Sequence, residues 1–180
     1  VKRLGATGRP YTFVEVRVVD ESFRDVSPGE RGEIVVRSDH VMKGYWRLPE
    51  ETAKAFHDGW LLSGDIATVD EQGYVYIVDR KKDLIISGGF NIYPREVEEA
   101  LYQHPAVHEA AVIGVADPEW GESVKAFVAL REGAQASEAD LIDFCRTKVG
   151  FKKPRYVEIV SELPKSSTGK IEKKALERGV

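Results

Sequence analysis

One cysteine, Cys145, in 180 residues excludes an intrachain disulfide and a cysteine-rich zinc site. It lies in an apolar helical pattern, so it reads as a buried, inert thiol and not as a nucleophile. Neither sign of charge prevails: 26 Lys and Arg against 30 Asp and Glu leave a net charge of -4. The sequence pI is near 5.7, so nothing draws the chain generally to DNA, RNA or anionic membranes, although a local basic cluster could still take a phosphate. No apolar run is long enough to span a membrane. The start carries no apolar signal segment and the end, Arg178-Gly179-Val180, no address signal, so the expected compartment is the cytosol. An initiator methionine is also lacking. The chain opens Val1-Lys2-Arg3 and enters strand-like sequence almost at once, which leads us to expect a fragment of something longer.

Generic chemical motifs are scarce too. Ser167-Thr168-Gly169-Lys170 looks like the end of a Walker A loop, but Pro164 stands where its first glycine belongs and Ile171 replaces the Ser/Thr. His104 and His108 have i, i+4 spacing, yet Pro105 argues against a shared helix, so no metal site is expected. There is no Ser or Cys nucleophile motif, no internal repeat and no low-complexity tract.

What is present is an ordinary globular balance, 42% hydrophobic and 31% charged. The first half reads as β-rich. Residues 13–19 alternate apolar and polar side chains, and Ser27-Pro28-Gly29-Glu30 turns into a second strand over 32–37. Pro49 opens a short helix to Phe56 with acids in its first turn. Residues 59–62, 65–69 and 74–78 follow as strand segments, the last two flanking a hairpin turn at Asp70-Glu71-Gln72-Gly73. The charge run Asp79-Arg80-Lys81-Lys82-Asp83 marks the expected domain boundary, with domains at 1–81 and 82–180. Beyond it the pattern is mixed. A short strand, 84–86, ends in Ser87-Gly88-Gly89, and Pro94 starts a helix that stops before His104-Pro105. Strands are expected at 107–115, 123–130 and 155–160. Between the last two, Ser137 and Asp140 form a capping-box-like start to a helix with Leu141, Ile142, Cys145 and Val149 on its apolar face. A short charged helix follows Gly169. The expected class is α+β: a β-barrel-like first part, then a small domain of sheet and helices.

The decisive stretch is DGWLLSGDIATVDEQGYVYIVDRKKDLIISGGFNIYPREVEEAL, from Asp58 to Leu101. GEIVVRS (Gly32 to Ser38) and MKGYWRLPEETAKAF (Met42 to Phe56) precede it, and LPKSSTGKI (Leu163 to Ile171) lies near the end. In order and spacing these blocks resemble the adenylate-forming superfamily of acyl-CoA synthetases, luciferases and peptide-synthetase adenylation domains. The resemblance covers essentially the whole chain. It implies the last β-rich subdomain of a large N-terminal domain followed by a mobile C-terminal lid. It also implies a parent AMP-forming acyl-CoA ligase using a carboxylic acid, ATP and CoA, with Mg²⁺ held mostly by residues outside this chain. Fatty or aromatic acids are the substrates it suggests.

The resemblance assigns nucleotide contacts to Asp65 and Arg80, the hinge to Lys82 and the catalytic cation to Lys170. A carboxylate placed at a strand start after Gly64 can accept bonds from two ribose hydroxyls, and a guanidinium suits ribose or phosphate oxygens. An ammonium on the small, polar, flexible loop expected at 166–169 can offset the repulsion between an attacking carboxylate and the α-phosphate. Gly88 and Gly89 match a strand lining a pantetheine tunnel, where the absence of Cβ allows close approach. Trp120, Phe151 and Lys153 match positions that contact CoA in some ligases. Each residue also has a plainer reading: a turn Asp, solvated charges, a tight glycine turn, core aromatics. Ser63-Gly64-Asp65 replaces the commoner Thr-Gly-Asp and keeps the hydroxyl. The Ser/Thr/Gly-rich phosphate loop and the aromatic-Gly-x-Thr-Glu block are not in the sequence, so the chain by itself is expected to be inactive. A rival expectation is a non-catalytic nucleotide-binding, CoA-binding or interaction module that keeps the lid fold.

Overall fold

The computed structural model describes Arg3 and residues 5–177. Val1-Lys2 and Arg178-Gly179-Val180, read above for start and address signals, lie outside the described residues. The chain divides into two compact units, Val1–Lys82 and Asp83–Val180. The class is α+β, as the sequence patterning implied.

In the first unit β1 (Glu15–Val19), β2 (Arg31–Arg37), β3 (Phe56–His57), β4 (Trp60–Val69) and β5 (Val75–Arg80) form one antiparallel sheet. The order is β1-β2-β4, with β3 and β5 sharing the other edge of β4. The sheet is therefore curled but open, barrel-like without closure. Helix α1 (Pro49–Ala55) precedes β3, with its proline in the first turn. Alternation gives each face a small core: Val18, Ile34, Ala67 and Val75 on one, Val19, Val35 and Trp60 on the other. Two strand expectations are corrected. β1 starts at Glu15 and not Phe13, because Phe13 has φ +65° and is exposed. The segments expected at 59–62 and 65–69 are one strand, β4, bulged rather than broken at Gly64.

The second unit contains β6 (Ile85–Ser87), β7 (Phe90–Ile92), α2 (Pro94–Tyr102), β8 (Val107–Asp117), β9 (Gly121–Leu130), α3 (Glu138–Val149), β10 (Tyr156–Val160) and α4 (Lys173–Glu177). β8 and β9 form a long hairpin, and β10 pairs with β9 in parallel, a connection that needs the α3 crossover. Ser137 caps α3: its Oγ accepts from the Asp140 amide while the Asp140 carboxylate accepts from the Ser137 amide and hydroxyl. Successive strand residues face opposite ways, so the sheet has two cores. Ala110, Val112, Val124, Ala126 and Val128 meet α2 and α3 through Val97, Leu101, Leu141 and Cys145. Ala111, Ile113 and Phe127 meet Leu163, Ile171 and Leu176 on the other face. Cys145 is fully buried, and burial pushes its thiol up to about 11. β7 has no counterpart among the expected strands.

Candidate functional site

Asp65 does not begin a strand. It sits in a bulge of β4 where Ser63, Gly64 and Asp65 stand opposite Ile34 alone. Gly64 has φ +71°, a conformation that glycine takes without the steric cost other residues meet. Glu33, whose side chain is 10% exposed, fastens the bulge from behind. Its Oε1 accepts from the Gly64 amide at 3.0 Å and its Oε2 from Lys81 Nζ at 2.7 Å. The Ser63 hydroxyl accepts from the Asp65 amide at 3.0 Å, which gives that side chain a local role. Asp65 is the cross-strand partner of Arg80, and Arg80 Nε reaches Asp65 Oδ1 at 2.9 Å. Thus the two expected nucleotide residues are neighbours, one carboxylate oxygen engaged and the other without a partner among the described residues. A shallow hollow lined by Ser63, Gly64, Arg80, Lys81 and Lys82 adjoins them. Lys82 is exposed in a 3₁₀ turn, Lys81–Asp83, on which the first unit ends.

In the second unit Gly88 and Gly89 are not strand residues. They form the two-residue turn of the β6–β7 hairpin, with φ +57° and +81°, the positive values that a type I′ turn requires. The Gly88 amide donates to the Trp120 carbonyl at 2.9 Å. A Cβ on Gly88 would stand 2.6 Å from Trp120 Cε3. The hairpin is further held by the Ile86 amide donating to Glu122 Oε2 at 2.7 Å.

Trp120, distant in sequence from Phe151 and Lys153, lines one cleft of about 540 Å³ with them and with Ser87, Phe90 and Arg155. Phe90 and Phe151 are in ring contact, with centroids 5.1 Å apart and planes tilted 57°. Phe151 projects from a 3₁₀ turn, Gly150–Lys152, pinned to α2 because Lys152 Nζ donates to both Glu96 oxygens at 2.7 and 2.9 Å. Trp120 is 45% exposed and Phe151 66% exposed, so neither is a core residue. Lys153 has no ionic partner among the described residues, whereas the Arg155 guanidinium donates to Asp117 at 3.1 Å. Apolar aromatic walls with two cations at the rim can hold a flat ring and an anionic group together.

Lys170 lies on the other face of this sheet. Its turn is seated through Leu163 and Ile171 against Ala111, Ile113 and Phe127, away from the α2/α3 face whose core members Ile92 and Val124 also line the cleft. Residues 166–169 are not a loose loop. Lys165 and Ile171 bridge, the Ser166 amide donates to the Lys170 carbonyl at 2.8 Å, and the Gly169 amide donates to the Ser166 carbonyl at 2.9 Å. Neighbouring lysines are ion-paired, Lys165 with Glu109 and Lys173 with Glu98, each at 2.7 Å. Lys170 is exposed and its ammonium has no partner among the described residues. No group of three or more His, Cys, Asp or Glu among the described residues could hold a metal ion, and no helix of the structure is long and apolar enough to cross a membrane.

The AMP-binding enzyme family matches residues 1–46, and the AMP-binding enzyme C-terminal domain matches residues 96–170. The chain belongs to the adenylate-forming enzymes. Among relatives of this chain, a feruloyl-CoA synthase from Amycolatopsis sp is 49% identical over 98% of the chain and 36% of its own length. A long-chain-fatty-acid–CoA ligase from Bacillus subtilis (strain 168) is 49% identical over 96% of the chain and 31% of its own length. The ATP-bound crystal structure of MatB from Rhodopseudomonas palustris superposes with a TM-score of 0.92 at 40% identity, covering 97% of this chain and 35% of that one. The chain therefore spans about a third of the length of the relatives it matches.

Sequence reasoning passed over Glu33, Phe90, Asp117 and Arg155. Gly-Gly between two short apolar runs is a hairpin signal that would have placed Phe90 opposite Ser87. Asp117 before Pro118 is a turn signal, but nothing local announces its partner 38 residues on.

Proposed function

We propose that the chain is the C-terminal part of an AMP-forming acyl-CoA ligase. In this reading a carboxylate and ATP give an acyl-adenylate and pyrophosphate, and CoA then gives the thioester and AMP. The observation that carries the reading is the division of the second unit. An unpaired ammonium on a hydrogen-bonded turn stands on one sheet face, and an aromatic cleft with a cationic rim stands at the other.

Lys170 would bridge the attacking carboxylate and the α-phosphate and balance the charge that develops between them. Pinning of its backbone limits the entropy lost when the ammonium meets the phosphate. Asp65 would accept a ribose hydroxyl on its unengaged oxygen, with Arg80 orienting the carboxylate and donating from its remaining N–H groups. The cleft suits CoA: Trp120 and the Phe90–Phe151 pair offer faces for the adenine or the pantetheine, and Lys153 and Arg155 offer donors for phosphate. Mg²⁺, when bound, would neutralise the triphosphate, and its ligands belong to the rest of the parent protein. Because the second half-reaction needs the cleft and the first needs Lys170, we assign Lys82 as the residue whose backbone turns between them. Aromatic or fatty carboxylates are the acyl substrates that the feruloyl- and long-chain-specific relatives suggest.

The test uses the two half-reactions. The 180-residue chain alone should show no carboxylate-dependent ATP–pyrophosphate exchange. In the longer parent, Lys170→Ala should slow that exchange roughly 100- to 1000-fold, the usual loss for one contact to developing charge, and spare thioester formation from supplied acyl-adenylate. Equal losses in both half-reactions would remove the catalytic role from Lys170.

A further inference from the structure

We infer that Asp117 is a positioning residue for the cleft, one that sets the Arg155 guanidinium as its phosphate-holding group; the inference rests on the reading of the cleft as a CoA site. Asp117 cannot meet a ligand itself, since its side chain is 5% exposed. Its two oxygens have separate duties. Oδ1 accepts from the amides of Glu119 and Trp120 at 3.0 and 3.1 Å and so closes the β8–β9 turn that presents the Trp120 wall. Oδ2 accepts from the Ser123 hydroxyl at 2.5 Å and from Arg155 Nη1 at 3.1 Å.

Arg155 has the length to lie in many rotamers, and its side chain is 47% exposed. Its backbone is fixed by the amide donating to the Val124 carbonyl at 2.8 Å, but that bond leaves the guanidinium free. The charge-assisted bond to Oδ2 selects one direction and occupies one of its N–H groups, leaving the others for a ligand phosphate. Ser123 keeps Oδ2 in place when Arg155 moves. Asp117 thereby joins wall and rim in one piece: the turn under Trp120 and the cation beside it answer to a single carboxylate.

The two oxygens allow a discriminating substitution. Asp117→Asn keeps an acceptor for the turn amides and puts an NH₂ against Arg155, so it frees the guanidinium while leaving the Trp120 turn closed. Calorimetric titration of CoA into the 180-residue chain reads the effect. We expect Asp117→Asn to weaken CoA binding about tenfold or more, the range for losing a hydrogen bond to a charged group. In an Arg155→Ala background the same substitution should change affinity less than about twofold, since coupled residues are not additive. Asp117→Ala, which also opens the turn, should be weaker than Asp117→Asn. Equal losses in both backgrounds would show that Asp117 acts through general stability, and CoA binding indifferent to Asp117→Asn would remove the positioning role alone. No CoA binding by the unmodified chain would overturn the cleft reading and this inference with it. Should Asp117→Asn fail to fold, Ser123→Ala carries the test. It loosens the same oxygen and must weaken CoA binding by a smaller factor that vanishes with Arg155→Ala; no loss refutes the inference.

Discussion

Adding one methyl group to each glycine of the β6–β7 turn separates backbone strain from steric shape. Both positions have left-handed φ, +57° at Gly88 and +81° at Gly89, and alanine there costs roughly 1–2 kcal/mol. At Gly89 the new Cβ meets nothing within 4 Å, so that cost is the whole effect. At Gly88 it would stand 2.6 Å from Trp120 Cε3 and 3.0 Å from Cζ3. Carbon atoms rest at about 3.5–4.0 Å, so the ring must withdraw by roughly 1 Å. Trp120 is nearly half exposed, so it can swing outward at small added cost. The two variants should therefore lose similar stability in urea unfolding. They should differ in the Trp120 indole N–H resonance, assigned by its loss in Trp120→Phe, and in CoA affinity. Gly88→Ala should move the resonance and weaken CoA; Gly89→Ala should do neither. An unmoved indole in Gly88→Ala, or an equal shift in both variants, would refute the packing on which the cleft wall depends.

Three further outcomes are expected. Lys82→Pro in the longer parent, which fixes φ and removes a donor in the turn at the unit boundary, should spare acyl-adenylate formation and slow thioester formation; an unchanged overall rate would remove the hinge role. Cys145, with its thiol raised to about 11 and thus about a hundredfold fewer thiolates at neutral pH than an unshifted thiol, should resist alkylation until the chain is unfolded; fast native labelling would contradict its burial. Acid should destabilise the fold in a defined direction. Asp70, held low chiefly by the Tyr74 amide, Asp117, held low chiefly by the Ser123 hydroxyl, and Asp140, held low chiefly by the Ser137 hydroxyl, all have folded values below the ordinary one. Their contribution is complete above the unfolded value and is lost as pH falls through the folded values, so the melting temperature should hold from neutrality and drop below about pH 4. A melting temperature that rose on acidification would contradict this.

Local chemistry is what the sequence made legible. The Ser137–Asp140 cap, the proline-led helices and the hairpin at Asp70–Gly73 each depend on residues within a few positions of one another. The candidate site residues were found by their blocks, and the structure gathers Asp65 with Arg80 and Trp120 with Phe151 and Lys153. What could not be read depends on register and distance. The bulge at Gly64 looks like a break unless β2 is laid beside it, because only the opposing Ile34 shows three residues doing the work of one. β7 is three residues long, too short for alternation to declare itself. Asp117 acquires its meaning from Arg155, which the sequence offers only as the expected start of a strand that begins at Tyr156.

The parallel pairing of β10 with β9 has a consequence for the order in which the second unit assembles. The β8–β9 hairpin closes through three residues, 118–120, a short loop with little entropy to lose. β10 can dock only after α3 has crossed the sheet, and it brings Val157 into the core that α2 and α3 share. Leu163, Ile171 and Leu176 follow β10 in the chain and occupy the opposite face, so the turn bearing Lys170 finds its seat last. Its detachment breaks contacts on that face and leaves the aromatic cleft standing. In native-state hydrogen exchange the amides of Ser166 and Gly169 should accordingly trade with solvent well before those of β8 and β9.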